Sequence, residues 1–371
     1  MDSLTQICLG AVVGGAVMAP AIRRLPGPKR GAAIRYALLG GAALGTLPDL
    51  DVMIDYGDAV ANYTHHRGFS HSLPVLALLG IALGWLLARL PRLASLGRGR
   101  LIAYCVLCLV THPLLDSFTT YGTQLLWPWP SRPISLASVF IIDPLYTLPL
   151  LITGLWVAIR GRAGRLLTAG LMLSSLYLGW GLAAKSWVEH RVAPLLASQG
   201  FADAPRMVQP TPFNSLLWRV SATTPQADHE WMVSVFDSDA QLASLARRDF
   251  PRHPTLDVEV AKLEDGQRLR WFAAPYLRAS RERTPEGETL LAVTDTRLGS
   301  PGYHPFRFAL ARQNAQGEWQ GLEDSQRLPS QPVDRAALLS LWQAVHDPQT
   351  RMQPNQRTVS ATPSNPSAET R

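Results

Sequence analysis

His112 and Asp116 stand four residues apart near the end of an apolar run, LIAYCVLCLVTHPLLDSF at 101–118. An ionisable group at the centre of a bilayer costs about 2.5–3.5 kcal/mol, and residues that carry that cost usually mark function. At i and i+4 of a helix the two side chains share a face, so one ion can bridge them. Pro113 disfavours helical geometry at His112 and predicts a kink or a new helix start there. GTLPDLD supplies Asp49 and Asp51, which alternate around Leu50 and in an extended loop face the same way. HHRGFSH at 65–71 supplies His65, His66, Arg67 and His71, FIIDPLYTLP supplies Asp143, and Gln6 lies near the N-terminus. Imidazoles and carboxylates without a thiolate form a nitrogen–oxygen donor set suited to zinc, manganese or iron. Taken singly, each of these residues reads as a satisfied polar group or a turn. Only their joint placement argues for a metal site, and that depends on the elements that carry them.

Of the 371 residues, 47% are hydrophobic and 17% charged, but the distribution is uneven. Residues 1–185 fall into apolar blocks, at roughly 4–20, 33–48, 72–90, 101–118, 139–159 and 166–184. A helical crossing takes about 20 apolar residues, so the pattern predicts an α-helical membrane bundle of about six transmembrane helices. The loops alternate in charge. Arg23, Arg24, Lys29, Arg30 and Arg35 follow the first block, Arg89, Arg92, Arg98 and Arg100 the third, and Arg160, Arg162 and Arg165 the fifth, all without an acid. The loop after the second carries Asp49, Asp51, Asp55 and Asp58 against Arg67. By the positive-inside rule the basic loops are cytoplasmic, and the N-terminus and acidic loop are periplasmic. A multi-pass protein of the bacterial inner membrane is expected. The first block has its basic residues after the apolar run, the wrong polarity for a signal peptide, and reads as a retained helix. GAVVG at 10–14 and GAALG at 41–45 have the GxxxG spacing of closely packed helices, although small residues are common in membrane helices anyway. Cys8, Cys105 and Cys108 all lie in apolar blocks and suggest no disulfide framework.

This topology brings the scattered polar residues to one depth on the outer side. A centre there reaches lipid headgroups or periplasmic small molecules and no nucleic acid. The formal charge of +7 resides largely in topology signals, not in a nucleic-acid surface. Trp127 and Trp129 form an interfacial aromatic belt or a lip over the site.

MDSLTQ, GTLPDLD, HRGFSHS, THPLLDSFTTYGTQLLWP and FIIDPLYTLPLL, in this order, resemble the YdjM-like family of membrane-bound metal-dependent hydrolases. The motifs occupy residues 1–150, and the similarity continues through SSLYLGW, AAKSWVE and TPFNSLLWR. The resemblance implies metal ligands at Asp49, Asp51, His66, His71, His112 and Asp116. Gln6 stands where some relatives carry His in a motif like MDPLTH. The set is also similar to the His and Asp sites of zinc-dependent phospholipases C and nucleases, which raises phosphoester chemistry. Six implied ligands exceed the need of one tetrahedral ion, so of one or two ions, two are favoured, zinc first with manganese or iron as alternatives. Arg67 would clamp an anionic substrate or snorkel to lipid headgroups. Asp143 would be a partner of a ligand histidine, a general base or a further ligand. The expected activity is metal-dependent hydrolysis of a phosphoester or lipid-linked substrate. The rival is a non-enzymatic metal-binding membrane protein, a transporter or a metal-stabilised scaffold.

Residues 186–350 read as a periplasmic, mostly-β (α+β) soluble domain. SLLWRVSAT, EWMVSVFDS, LRWFAAPYL, TLLAVTDTRL and FRFALARQ are strand-like, and AALLSLWQAVHD is a closing helix. His190, His229, His253, His304 and His346 match no ligand spacing and are expected on the surface or in turns. Residues 351–371 have the composition of a disordered tail.

Overall fold

A segment surrounded by lipid must satisfy its own backbone hydrogen bonds, which leaves helices for the apolar blocks. The structure, a computed structural model, describes residues 1–162, 164–330, 335–348 and 350–352. Its N-terminal part comprises α1 (Ser3–Ile22), α2 (Gly27–Thr46), α3 (Ala59–His65), α4 (Leu73–Leu87), α5 (Arg98–Asp116), α6 (Pro144–Arg160) and α7 (Leu166–Ser198). Among the described residues, α1, α5 and α7 are long and apolar enough to cross a membrane, and Ala59–His71 with Leu73–Leu87, bent by 48°, makes a fourth candidate. α2 carries Lys29, Arg30 and Arg35, and α6 has only 17 residues. Each expected block has its helix, but the count of six crossings goes further than length and composition carry.

α1 and α2 meet at backbone contact. A Cβ on Gly10 would lie 2.3 Å from the Gly41 carbonyl oxygen and 2.8 Å from the Gly45 Cα, so the GxxxG seam forms. A second seam, not expected from the sequence, joins α4 to α5. A Cβ on Gly84 would lie 2.4 Å from the Ile102 Cα, and one on Gly80 would lie 2.7 Å from the Val106 Cα. Cys105 and Cys108 are unpaired and fully buried in this bundle, where they serve packing. α5 runs through Pro113 without the break expected there, because its packing against α1, α2 and α4 overrides the local preference.

α7 has 33 residues and is about 50 Å long, more than a bilayer core requires. It continues past the boundary expected at 185–186. Val188, Val192 and Leu196 enter a core with Trp218 and Trp231. That core belongs to an antiparallel meander of β1 (Arg206–Pro210), β2 (Leu217–Thr223), β3 (Ala227–Ser234) and β4 (Arg248–Pro251). α8 (Asp239–Ala243) lies between β3 and β4, and α9 (Pro254–Lys262) and α10 (Glu264–Ala273) follow. A second meander contains β5 (Leu277–Arg283), β6 (Thr289–Asp295), β7 (Arg307–Gln313) and β8 (Trp319–Arg327), and α11 (Arg335–His346) comes last.

Three expectations are corrected here. LRWFAAPYL is mostly helical, because Leu269, Phe272 and Ala273 repeat at i, i+3 and i+4 and bury one face of α10. His229 is buried on β3, bonded to Asp249 at 2.7 Å and packed on Phe201. His304 is also buried, its Nδ1 2.9 Å from the Leu298 carbonyl oxygen. Burial, with Arg219 and Arg278 nearby, pushes the His304 pKa well below the usual range. The expected tail lies outside the described residues except for Arg351 and Met352.

The second meander packs on the helical part. Val60 and Tyr63 of α3, with Tyr121, share its core with Phe272 and Phe308. The Tyr63 hydroxyl donates to Asp295 at 2.9 Å, and the Val60 N–H donates to the Ser325 hydroxyl at 2.9 Å. The β-domain thereby anchors the helix that enters HHRGFSH.

Gly10→Val and Gly84→Val should each lower stability by about 1–3 kcal/mol, as overpacked cores do. Thermal unfolding in detergent reads this as a lowered Tm. Gly179→Ala, with nothing within 4 Å of the new Cβ, should leave Tm unchanged or raise it.

Candidate metal centre

Four elements converge at one end of the bundle. The segment Leu47–Met53 after α2 is a 3-10 helix, with three residues per turn. Side chains two residues apart on it diverge by about 120°, so Asp49 and Asp51 face different partners. The extended geometry expected for PDLD does not form. α5 delivers His112 and Asp116 from successive turns of one face. After α3, the chain reverses at Arg67, whose φ of 63° is unusual for a non-glycine residue, and a short 3-10 turn, Phe69–His71, aims His71 at α5. α1 brings Gln6 to the same place.

Asp49, His71, His112 and Asp116 each offer one donor atom, all within 4.8 Å of one another. His71 Nε2 and His112 Nε2 are 3.1 Å apart. Asp49 Oδ1 lies 3.5 Å from His71 Nε2 and 3.3 Å from His112 Nε2. Asp116 Oδ2 lies 3.3 Å and 3.6 Å from the same two atoms. A tetrahedron with metal–ligand bonds of 2.0–2.1 Å has edges of about 3.3–3.4 Å. The five edges measured here match that figure.

The tautomers follow from the partners. His112 Nδ1 lies 2.5 Å from the Gly45 carbonyl oxygen, which only accepts, so Nδ1 carries the hydrogen and Nε2 a lone pair. The Ser70 hydroxyl donates to Asp51 at 2.6 Å and therefore accepts from His71 Nδ1 at 2.9 Å. His71 Nε2 is again a bare acceptor. Two imidazole lone pairs and two carboxylate oxygens thus face one another, and the buried Asp116 Oδ2 has the Arg67 guanidinium beside it but no well-aligned hydrogen bond. The donor set fits a divalent cation. Three of the four side chains are fully buried, whereas Asp49 is 20% exposed and opens one side.

Neighbouring groups hold these ligands without joining them. Asp51 Oδ1 bonds His66 Nδ1 at 2.8 Å, and its Oδ2 accepts from the Arg67 N–H and Ser70. Burial opposes the Asp51 charge, but the bonds from His66 and Ser70 outweigh it and keep the carboxyl below its usual pKa. Arg67 is buried with its Nε 3.1 Å from Asp116 Oδ2, its Nη1 on Thr119 at 3.3 Å and its guanidinium 5.0 Å from the Tyr121 ring centroid. Asp116 Oδ1 meets the Met1 amino group and accepts from Gln6 Nε2 at 3.0 Å.

Of the six implied ligands, the structure gathers four. Asp51 and His66 pair with each other beside the centre, a consequence of the 3-10 turn. Arg67 is buried and its charge is engaged by Asp116. Asp143 lies one residue before α6. There it caps the helix by accepting from the Leu145 N–H at 3.1 Å, and it accepts from the Tyr177 hydroxyl at 2.8 Å. It touches none of the four. His65 stacks on Tyr56, with ring centroids 4.8 Å apart. Ser70, Thr119 and Tyr121 complete the surroundings. Ser70 stood inside the quoted motif, and its position next to His71 was the signal available.

Metal content checks the assignment. Protein purified without chelator should carry about one divalent ion per chain. His112→Ala and Asp116→Ala should lose it and His66→Ala should retain it, by elemental analysis. Full occupancy in both ligand variants would refute the centre.

The model of the YdjM inner membrane protein family matches residues 1–188. The chain is similar to the Bacillus subtilis (strain 168) protein YfhP, 23% identical over 317 residues that cover 82% of this chain and 89% of that protein. It is also similar to the Escherichia coli (strain K12) inner membrane protein YbcI, 33% identical over 130 residues, 33% of this chain and 62% of that one. No solved structure matches. The matched segment contains every residue of the centre, and the chain belongs to the YdjM inner membrane protein family.

Proposed function

We propose that this protein is a multi-pass inner-membrane, metal-dependent hydrolase with a periplasmic-facing centre, acting on a phosphoester carried by a lipid or another amphiphile. The observation that carries the reading is the cluster of four donor atoms, five of whose separations have tetrahedral spacing, with one side open. Zinc suits two imidazoles and two carboxylates best, and one ion accounts for the four donors. When bound, such an ion polarises a phosphoryl or acyl oxygen and brings the pKa of a water toward neutrality.

The chain's own contribution beside it is the His66–Asp51 pair. Asp51 accepts the Nδ1 hydrogen, so His66 Nε2 is the atom that takes a proton from the attacking water and returns it to the leaving oxygen. His66 lines an open groove, which a purely structural centre has no need of. Arg67 pairs with Asp116 and holds it in place.

The orientation rests on the basic loops. Arg35 of α2 donates to the Ala158 and Ile159 carbonyls of α6, and Arg100 of α5 to the Val17 carbonyl of α1. The loop arginines therefore gather at the bundle end opposite the centre, consistent with a cytoplasmic side there. With α2 and α6 read as crossings, six spans return the chain to the periplasm. The three native cysteines are buried, so single cysteines report cleanly. Ala202→Cys in intact spheroplasts should react with a membrane-impermeant maleimide and Arg92→Cys should not. The reverse pattern would overturn the orientation.

One observation favours a metal-stabilised scaffold instead: four protein donors suffice to close a tetrahedron, as in structural sites. Turnover separates the two. Zinc-loaded protein should hydrolyse members of a panel of phosphodiesters and phospholipids, and His66→Ala should cut kcat by about 10²–10⁴-fold while keeping its metal. Absence of turnover by the fully loaded wild type would leave the scaffold reading.

A further inference from the structure

Beside the centre, an open groove of about 530 Å³ separates the 3-10 helix Leu47–Met53 from the edge of the second meander. This volume is in the range of sites that hold small ligands. His66 lines it next to the metal ligands, Phe306 and Tyr63 form an aromatic side, and Val52, Met53 and Ile54 form an aliphatic one. Those three aliphatic residues are 69%, 80% and 43% exposed and consecutive in the chain, and Leu50, on the other side of the buried Asp51, is 53% exposed. Such a run at the end of a membrane helix is suited to the boundary between headgroups and acyl chains.

The charges of the lining are unequal in their engagements. Asp51 is bonded to His66, Ser70 and the Arg67 N–H, and Asp55 accepts from the Asn62 side chain and the Gly57 N–H. Arg327, at the end of edge strand β8, lies over the Phe306 ring with its guanidinium 4.8 Å from the centroid. Among the described residues it makes no ion pair. Arg327 is thus the cation of the lining, flanked by apolar walls, with the Asp51 and Asp55 carboxylates held by their own hydrogen bonds, and the groove is continuous with the metal centre through His66.

We infer that this groove binds an anionic phospholipid, with Arg327 on the headgroup's negative charge and Phe306, Met53 and Ile54 along the start of an acyl chain. The β-domain then supplies half of the binding site through Phe306 and Arg327. Naming this lipid as the substrate rests on the hydrolase reading; its binding does not.

Photocrosslinking of the full-length, metal-loaded protein tests this without requiring turnover. In nanodiscs, phosphatidylglycerol with a diazirine near the carboxyl end of an acyl chain should label peptides containing 50–55 and 304–308. Arg327→Glu should reduce that labelling by about tenfold, the usual scale of one charge-assisted contact, with metal content unchanged. Phe306→Ala should weaken it with metal content unchanged, and the phosphatidylcholine analogue should label the groove poorly. Labelling elsewhere only, equal labelling by phosphatidylcholine, or full labelling of Arg327→Glu would each overturn the inference. Labelling without any hydrolysis would sustain the groove and defeat the hydrolase reading. Hydrolysis of a soluble phosphodiester with an unlabelled groove would do the opposite.

Discussion

Two imidazoles and two carboxylates meet at 3.1–3.6 Å in a largely buried site, where the Arg67 guanidinium and the Met1 amino group offset the charge of Asp116 and a cation among the four donors would complete the balance. Each histidine has committed its other nitrogen, one to the Gly45 carbonyl and one to Ser70, so neither can turn away. The ligands come from the segment after α2, the turn after α3, and α5. A cation at their centre would tie these three elements together, and structural zinc binding is worth roughly 10–16 kcal/mol in small domains, ample to offset burial of such groups.

The rest of the helical part keeps that meeting point in register. Gly10, Gly41 and Gly45 let α1 and α2 touch along their backbones, and the Gly45 carbonyl that orients His112 lies on this same seam. Gly80 and Gly84 set α4 against α5, which sets the distance between His71 and His112 from the other side. The β-domain contributes at the third approach. Its Asp295 and Ser325 hold α3, and Tyr121, whose hydroxyl donates to the Tyr63 carbonyl, lies against Arg67, the counter-ion of Asp116. A chain of contacts thus runs from the second sheet to the buried carboxylate, which explains why a soluble domain packs onto a membrane bundle here.

The corrections share one cause, which is that side-chain direction depends on backbone geometry that residue types state weakly. Asp49 and Asp51 looked equivalent because an extended loop was assumed, and the 3-10 turn gave them different duties. Arg67 looked available to a substrate because nothing local marks it as buried; its left-handed φ and the approach of α5 do that. Asp143 sat at a suitable depth, yet helix capping and Tyr177 engage it. LRWFAAPYL has aromatic residues typical of strands, but its burial has helical spacing.

What the sequence determined by itself was everything that composition and short-range order control: helices in the apolar blocks, the asymmetry of the basic loops, the GxxxG seam of α1 and α2, antiparallel strands after residue 200, and the pool of polar residues from which a centre would be drawn. These are legible because lipid admits few backbone solutions and because charge in loops acts locally. Tertiary structure alone decided which members of the pool meet as a donor set that could hold an ion, which lie beside it, and that the β-domain borders the groove next to them. Those outcomes depend on the crossing of elements separated by tens to hundreds of residues, where the 3-10 turn sends Asp49 toward His71 and His112 and Asp51 toward His66.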